Sequence, residues 1–520
     1  MINISKILTL FHTVRHLKPI QVYQRIANQT NKNNYKKIDW KKSVNLSSSN
    51  LVLKESIQFE NTYNNNSFEF LNLKKDFGVK VNWDFLDYGR LWTYNLNYFE
   101  YLNQQDITLT SGTELIEDFI NQLPSSKVGL EPYPISLRCI NWIKFFIRLG
   151  STPKFDSILY KQLMLLTSKK EYHILGNHLL ENGFSFLFGA YYFKNDNLYK
   201  EAKKILIPQL KEQVLEDGAH FELSPMYHSI MLFRILDCYN LVSNNDLFNS
   251  ELEPLLRNKS VQMLSWLNKI TFSNGKIPLL NDAAFKIAPE PKSLFDYALR
   301  LGLKFESEVN LGESGYRKLQ NSKFEIVTDI GKIGPDYQPG HAHADTFNFE
   351  LYVNGRPLIV DSGTSTYEIN DVRFYERSTL AHNTVVINGE NSSKVWSGHR
   401  VAKRAKVSIL KDLSNLIIAV HDGYKKYNVF HKRTFQSYNN SDLGIIDEIQ
   451  SKGVFYLHFA PNEDFQLYDN IIKGIDYKIE FIGVEKIELF ESYYSPEFNK
   501  RINRKSVRVT FSNKLQTFFT

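Results

Sequence analysis

From about residue 110 to 305 the apolar residues recur at three- and four-residue spacing. SLRCINWIKFFIRLG, YKEAKKILIPQLKEQVLEDG, SIMLFRILDCYNLVS and LEPLLRNKSVQMLSWLNKI all carry this period, with mostly short connections between them. Successive antiparallel helix pairs of this kind predict an α/α bundle or toroid. Near Gly312 the period drops to two: KFEIVTDIG, FNFELYVNG, RPLIVDSG, NTVVING, NLIIAVHDGY and VRVTFS read as strands, with Asn354-Gly355 and Asn388-Gly389 as hairpin turns. A helical half followed by an all-β half, read as a sandwich, makes this a multidomain α+β chain. The divisions expected are an extension over 1–85, a helical domain over 86–311 and a β domain over 312–520. Residues 30–80 are polar and Asn/Lys/Ser-rich, with NTYNNNS expected as a loop.

The first segment, MINISKILTLFHTVRHLKPIQVYQRI, is basic and partly apolar. His12, Arg15 and His16 interrupt its apolar stretch and no small-residue cleavage site follows, so it predicts an amphipathic helix rather than a signal peptide. That reading makes the cytoplasm the default compartment and leaves the periplasm or export open. No run reaches about 18 apolar residues, so no membrane-spanning helix is expected.

Composition changes this picture little. A chain of 520 residues exceeds one hydrophobic core, and 42% hydrophobic with 23% charged residues is an ordinary soluble balance. The charge of +7, from 63 basic against 56 acidic residues, is a mild excess that would steer an anionic partner. With no Arg/Lys-rich arm, zinc-finger spacing or P-loop, nucleic acid is not an expected partner. Cys139 and Cys238 both sit in apolar helical patterns and read as buried free thiols.

Three clusters could carry chemistry. In Gly176-Asn177-His178-Leu179-Leu180-Glu181-Asn182, His178 and Glu181 share a helix face and Asn177 lies close to it; the plainer reading is a helix start capped by Asn177. In Asp217 to His228, a Gly turn leads to a Pro-started helix bearing Tyr227 and His228, and Tyr227 could equally be a buried core tyrosine. In Gly340-His341-Ala342-His343-Ala344-Asp345 an extended chain would point both histidines and Asp345 to one face. His343 with the later Asp361 and His382 offers the nitrogen and oxygen donors zinc prefers. A simple ladder through Asn354-Gly355, however, pairs Asn348 with Asp361 and leaves His343 roughly 16 Å away along the strand. A metal site therefore needs HAHAD to curl away or the turn to be bulged. The alternative is an exposed polar strand edge.

Taken in order, these clusters resemble the heparinase II/III and alginate lyase superfamily: an Asn-His-x-x-Glu segment, a Tyr-His pair about fifty residues on, then His-x-His-x-Asp early in the β half. PLIVDSG, ERSTLAHNTVVING, YGRLWTYNLNYFEYL and EPYPISLR also resemble that family, and the likeness covers roughly residues 85–400 well. It implies an N-terminal α/α toroid, a C-terminal antiparallel β-sandwich and a site in the cleft between them. It further implies a bacterial enzyme acting by β-elimination on an anionic, uronic-acid-containing polysaccharide, with heparan sulfate, alginate, other uronates and a bacterial surface glycan all open. Asn177 and His178 would neutralise the uronate carboxylate, supported by Glu181. Tyr227 would be the general acid and His341 the partner base, with Tyr227 also open as the base. His228 and Arg377 would be further sugar contacts. His343, Asp361 and His382 would be structural zinc ligands, with no organic cofactor.

The chemistry explains the residue types. Removing the proton α to a carboxylate builds an enolate dianion, so preorganised donors there are worth about 10²–10³ in rate each, and an acid or base adds roughly 10²–10⁴. Two other readings stand. One is a catalytically degenerate glycan-binding or assembly protein. The other is a toroid glycoside hydrolase, which would need a carboxylate pair drawn from Glu181, Glu222 and Asp282.

Overall fold

Each change of hydrophobic period along the chain becomes a change of architecture in the computed structural model, which describes residues 4–30, 38–306, 309–438 and 441–520. Two short helices come first, α1 (Ile4–Val14) and α2 (Pro19–Thr30). The single amphipathic helix expected is thus broken before Pro19, whose ring disfavours helix in the preceding residue. A three-stranded meander follows: β1 (Tyr63–Asn64), β2 (Ser67–Phe70) and β3 (Leu73–Asp76). NTYNNNS is therefore no open loop. Asn65 and Asn66 take positive φ (46° and 59°), the conformation a tight hairpin needs and asparagine tolerates.

The helical half runs through α3 (Arg90–Tyr98), α4 (Leu109–Gln122), α5 (Pro132–Leu149), α6 (Pro153–Ser168), α7 (Gly176–Phe193), α8 (Asp196–Gln213), α9 (Pro225–Ser243), α10 (Glu253–Ile270) and α11 (Pro291–Arg300). It is built as a toroid. The inner helices α3, α5, α7 and α9 pack on one another in turn, and α6, α8 and α10 each lie outside the inner helix next to them in sequence. Sequence dictates which is which. Every residue of α7 except His178 is buried, whereas α8 buries one stripe, Leu198, Ala202, Ile205, Leu206 and Leu210. Residues 51–85 are not a separate piece, because Ile57, Phe68, Phe70 and Trp83 share one core with Trp92, Phe119 and Trp142.

The β half opens with a four-stranded antiparallel sheet, β4 (Tyr316–Gln320), β5 (Phe324–Asp329), β6 (Phe349–Val353) and β7 (Arg356–Ile359), in sequence order. A short helix, α12 (Asp371–Glu376), and three two-residue strands follow: β8 (Val385–Val386), β9 (Val395–Trp396) and β10 (Arg400–Val401). The remaining strands are β11 (Val407–Leu413), β12 (Leu416–His421), β13 (His431–Ser437), β14 (Leu443–His458), β15 (Gln466–Tyr468), β16 (Ile471–Lys473), β17 (Lys478–Glu497) and β18 (Lys500–Phe519). They form a sheet ordered β11-β12-β13-β14-β18-β17-β16-β15, with β8 beside β14. Ile326, Leu351 and Ile359 of the small sheet pack with Phe435, Ile445 and Val509 of the large one, which makes the pair a sandwich.

The HAHAD segment departs from the expected strand. Residues 340–348 are turns and bends, and β6 begins only at Phe349. Asn354-Gly355 does make the tight turn, pairing Val353 with Arg356, and the register then slips by one between Leu351 and Tyr352. The segment is drawn instead towards the helical half: His343 N–H donates to Asn281 Oδ1 (3.1 Å) and Asp282 N–H to the His341 carbonyl (3.0 Å).

Candidate active site

Four segments meet where the toroid faces the sandwich. The first is the start of α7. Leu175 and Gly176 both have positive φ, and a Cβ on Gly176 would lie 2.6 Å from Glu222 Oε1, so only glycine admits that carboxylate. Glu222 then takes the Asn177 N–H (3.0 Å) on one oxygen and Asn177 Nδ2 (2.9 Å) on the other. His178 is held through Nδ1 by Glu171 Oε1 (2.9 Å), whose second oxygen accepts from Asn182 Nδ2 (3.0 Å). The Tyr133 ring lies 4.4 Å from that imidazole. Burial alone would lower His178, but Glu171, by charge and hydrogen bond, with Glu222 and Glu181 beyond, holds it above its ordinary value. The side chain is one-third exposed, which leaves a cation open to a ligand.

The second segment is the start of α9. Ser224 caps it, accepting from the Tyr227 N–H (3.3 Å) and donating to the Asp282 carbonyl (2.6 Å). The Tyr227 ring stacks on the His341 imidazole at 3.8 Å and 27°, and its hydroxyl lies 3.1 Å from that of Tyr367. Burial, with Asp282 and Glu222 nearby, pushes the Tyr227 hydroxyl well up, so it stays protonated.

The third and fourth segments are the Asn281-Asp282 loop and the HAHAD turn. His341 Nδ1 lies 3.0 Å from Asp282 Oδ2, His343 Nε2 2.8 Å from Oδ1, and Arg373 of α12 reaches both oxygens at 2.5 and 2.8 Å. Burial would raise Asp282, yet Arg373 and the two imidazoles hold it well below the carboxylate range. An ionised Asp282 keeps the proton of His341 on Nδ1 and leaves Nε2 as the basic nitrogen, 3.5 Å from Glu222 Oε2.

The structure thus brings His178, Tyr227 and His341 to the meeting of the two halves, with Asn177 buried behind them and given to Glu222. Three expected contacts are corrected. Glu181 is fully buried and pairs with Arg234 (3.3 Å), so it cannot touch a sugar; burial, partly offset by Arg234, raises it to about 7. His228, one residue past Tyr227, turns into the core, where Nδ1 accepts from the His220 N–H (3.1 Å) and Nε2 donates to the Met263 carbonyl (3.0 Å). Arg377 is buried and spends its guanidinium on the carbonyls of Ala342 and Ser397, clamping the HAHAD turn.

The expected metal set is also rearranged. His382 Nδ1 lies 2.7 Å from Asp361 Oδ2, and the His343 and His382 rings are 5.3 Å apart. Asp361, however, already accepts from Asn348 Nδ2 and the Gly363 N–H, and His343 is turned to Asp282. Among the described residues, the group whose donor atoms fall within 4.8 Å of one another is Asp282, His341 and His399, which could hold a metal ion. Glu171, Tyr133, Tyr367 and Arg373 were missed in the sequence, and Glu222 and Asp282 were noticed only as hydrolase candidates. The sequence signals were the density of charge in NDVRFYERS for Arg373 and the EPYPISLR motif for Tyr133.

An α/α toroid followed by an antiparallel β-sandwich, with a stacked Tyr–His pair where they meet, defines the class of protein. The chain belongs to the heparinase II/III family: residues 137–297 match the Heparinase II/III N-terminus and residues 306–517 the Heparinase II/III-like, C-terminal model. It is similar to a heparin-sulfate lyase of Bacteroides stercoris, 24% identical over 459 residues (78% of this chain and 66% of the relative). It is also similar to a heparin-sulfate lyase of Pedobacter heparinus, 22% identical over 370 residues (63% and 54%). The chain therefore spans between about half and two thirds of these relatives' length. Among solved structures, heparinase III superposes with a TM-score of 0.70 at 16% identity, covering 96% of this chain and 91% of that one. The heparan sulfate lyase of P. heparinus superposes with a TM-score of 0.54 at 16% identity, covering 88% and 81%.

Proposed function

We propose that the chain is a polysaccharide lyase that cleaves a uronic-acid-containing, anionic glycan by β-elimination. The observation that carries this reading is the stack of Tyr227 on His341, a protonated phenol against an imidazole oriented by an ionised carboxylate. His178, the exposed member of the pair with Asn177 fixed behind it by Glu222, binds the uronate carboxylate and stabilises the charge that grows there as the α-proton leaves. His341 Nε2 takes that proton, and the electron pair forms the new carbon–carbon double bond. The bond from the β-carbon to the bridging oxygen breaks, and Tyr227 gives its proton to the departing oxygen. Its raised affinity for the proton suits the acid role and leaves the base role to His341. The named relatives are heparin-sulfate lyases, which supports an anionic glycan substrate of that chemical class.

The hydrolase reading is weaker, because Glu222 and Asp282 are spent on Asn177, His341, His343 and Arg373 rather than facing each other across a bond. The decisive comparison is between a uronate glycan and its carboxyl-reduced form. An unsaturated end should appear on the first only, and Tyr227→Phe should lower its rate by about 10² or more. Comparable cleavage of both glycans sinks the proposal.

A structural zinc at His343, Asp361 and His382 is the finer part of the reading. Its support is the approach of the three side chains: His382 Nδ1 lies 2.7 Å from Asp361 Oδ2, the His343 and His382 rings are 5.3 Å apart, and His343 Nδ1 is buried without a hydrogen-bond partner, a set of nitrogen and oxygen donors that suits zinc. Bound there, it would cross-link the β half and take no part in proton transfer. Elemental analysis of protein purified without chelator should find about one zinc per chain, and chelation should lower the melting temperature. Metal far below that level, with melting unchanged, overturns it.

A further inference from the structure

Helices α1 and α2 sit on the molecule with their polar sides inward. Gln21, fully buried, donates Nε2 to the Ile174 carbonyl (3.0 Å), Asn28 meets His173 (3.3 Å), and Thr13 Oγ1 accepts from Trp396 Nε1 (3.0 Å). The apolar side faces out: Ile7, Leu10 and Phe11 on α1 and Tyr23 and Ile26 on α2 are each between 51% and 68% exposed. A water-facing helix reverses this arrangement, and outward apolar sides of this kind on two successive helices mark an interaction surface.

Charge identifies what covers it. Residues 4–30 contain Lys6, Arg15, Lys18 and Arg25 and no Asp or Glu. The β half adds to this side, since Lys403 and Lys394 join Arg15 in opposing protonation of His12, which its slight burial already disfavours. Asp336, paired with Arg404, is the acid facing His16, and Glu212 pairs with Lys18. A sulfated or uronate glycan would satisfy the cations but leave Ile7, Phe11 and Tyr23 in water. A second copy meeting face to face would set cation against cation, because the two helices have no acid of their own. Only an anionic bilayer surface offers both acyl chains and negative headgroups.

We propose that α1 and α2 form a docking surface for an anionic lipid bilayer, lying in its headgroup region. Helices of 11 and 12 residues are too short to cross one, and no helix among the described residues is long and apolar enough to do so. Helix α2 is tied to Ile174, four residues before His178, and α1 to Trp396, three before His399, so docking would set the site beside the lipid surface.

The test is flotation of the full chain with vesicles of phosphatidylcholine alone or with roughly one quarter phosphatidylglycerol, at low salt and at about 0.5 M salt. The wild type should float with the anionic vesicles at low salt, and Phe11→Ser/Tyr23→Ser should reduce binding about tenfold or more. Both side chains face solvent, so the variant should melt like the wild type, and circular dichroism checks this. Arg15→Gln/Lys403→Gln should weaken binding to anionic vesicles and leave any residual binding to neutral ones unchanged. Three results each overturn the proposal. One is no binding to anionic vesicles. Another is vesicle binding untouched by the apolar substitutions. The last is a dimer in sedimentation that those substitutions dissolve, which would assign the face to self-association.

Discussion

At the scale of the residue, adjacent positions divide sharply between cleft and core. Asn177, His178, Tyr227 and His341 stand out in the sequence because their types and order match one chemistry, and the structure stacks Tyr227 on His341. The orientation of their neighbours was not legible, because a residue's direction depends on partners far along the chain. Glu181 shares a helix face with His178 in sequence, yet Arg234, 53 residues on, draws it into the core. Glu171 governs His178 from seven residues earlier, through a bend no periodicity shows. This gives the pH prediction its sign. His178 is protonated below its raised folded value, so affinity for a uronate is present there and is lost as pH rises through that value. Glu171→Gln keeps the shape but removes the charge, and the alkaline limb of kcat/KM should move to lower pH. An unmoved limb would show that His178 is not the group titrating.

At the scale of the element, α9 shows what a helix register does to two neighbouring side chains. Tyr227 faces the cleft, and His228, about 100° around the axis, faces the core. Burial lowers His228 from its ordinary 6.5 to about 3. Because its native value is depressed, the unfolded chain takes up a proton first, so stability is lost as pH falls below 6.5. At pH 5 this group alone costs about 2 kcal/mol. Melting between pH 7.5 and 5 should therefore drop further in the wild type than in His228→Gln, although the variant starts lower. Equal drops would acquit His228. Helices and strands were legible at this scale because their periods are strict. The HAHAD turn was not, since its shape is imposed by Asn281 and Asp282 rather than by its own residues.

At the scale of the whole molecule, the buried carboxylate of Asp282 ties the helical half to the β half at the site, with Glu222 a weaker second link between Asn177 and His341. Asp282 lies between α10 and α11, while His341, His343 and Arg373 all come from the β half. Asp282→Asn should leave the Arg373 guanidinium, itself fully buried, without its counter-charge. Losing one partner of such a pair costs about 3–5 kcal/mol. Thermal melting should fall accordingly, and turnover should fall with it as His341 loses the group that fixes its proton. A variant that melts within about 1 kcal/mol of the wild type would remove Asp282 from this role.

The same carboxylate has to wait for its partners during synthesis. Translation makes α7 and α9, which carry Asn177, His178 and Tyr227, before His341 or Arg373 exists. A chain stalled after the toroid would hold Asp282 without Arg373 or either imidazole, and on the proposed mechanism it would lack its base. The groups proposed to give and to take the proton thus come from opposite sides of that stall point, so the proposed chemistry would wait for the β half.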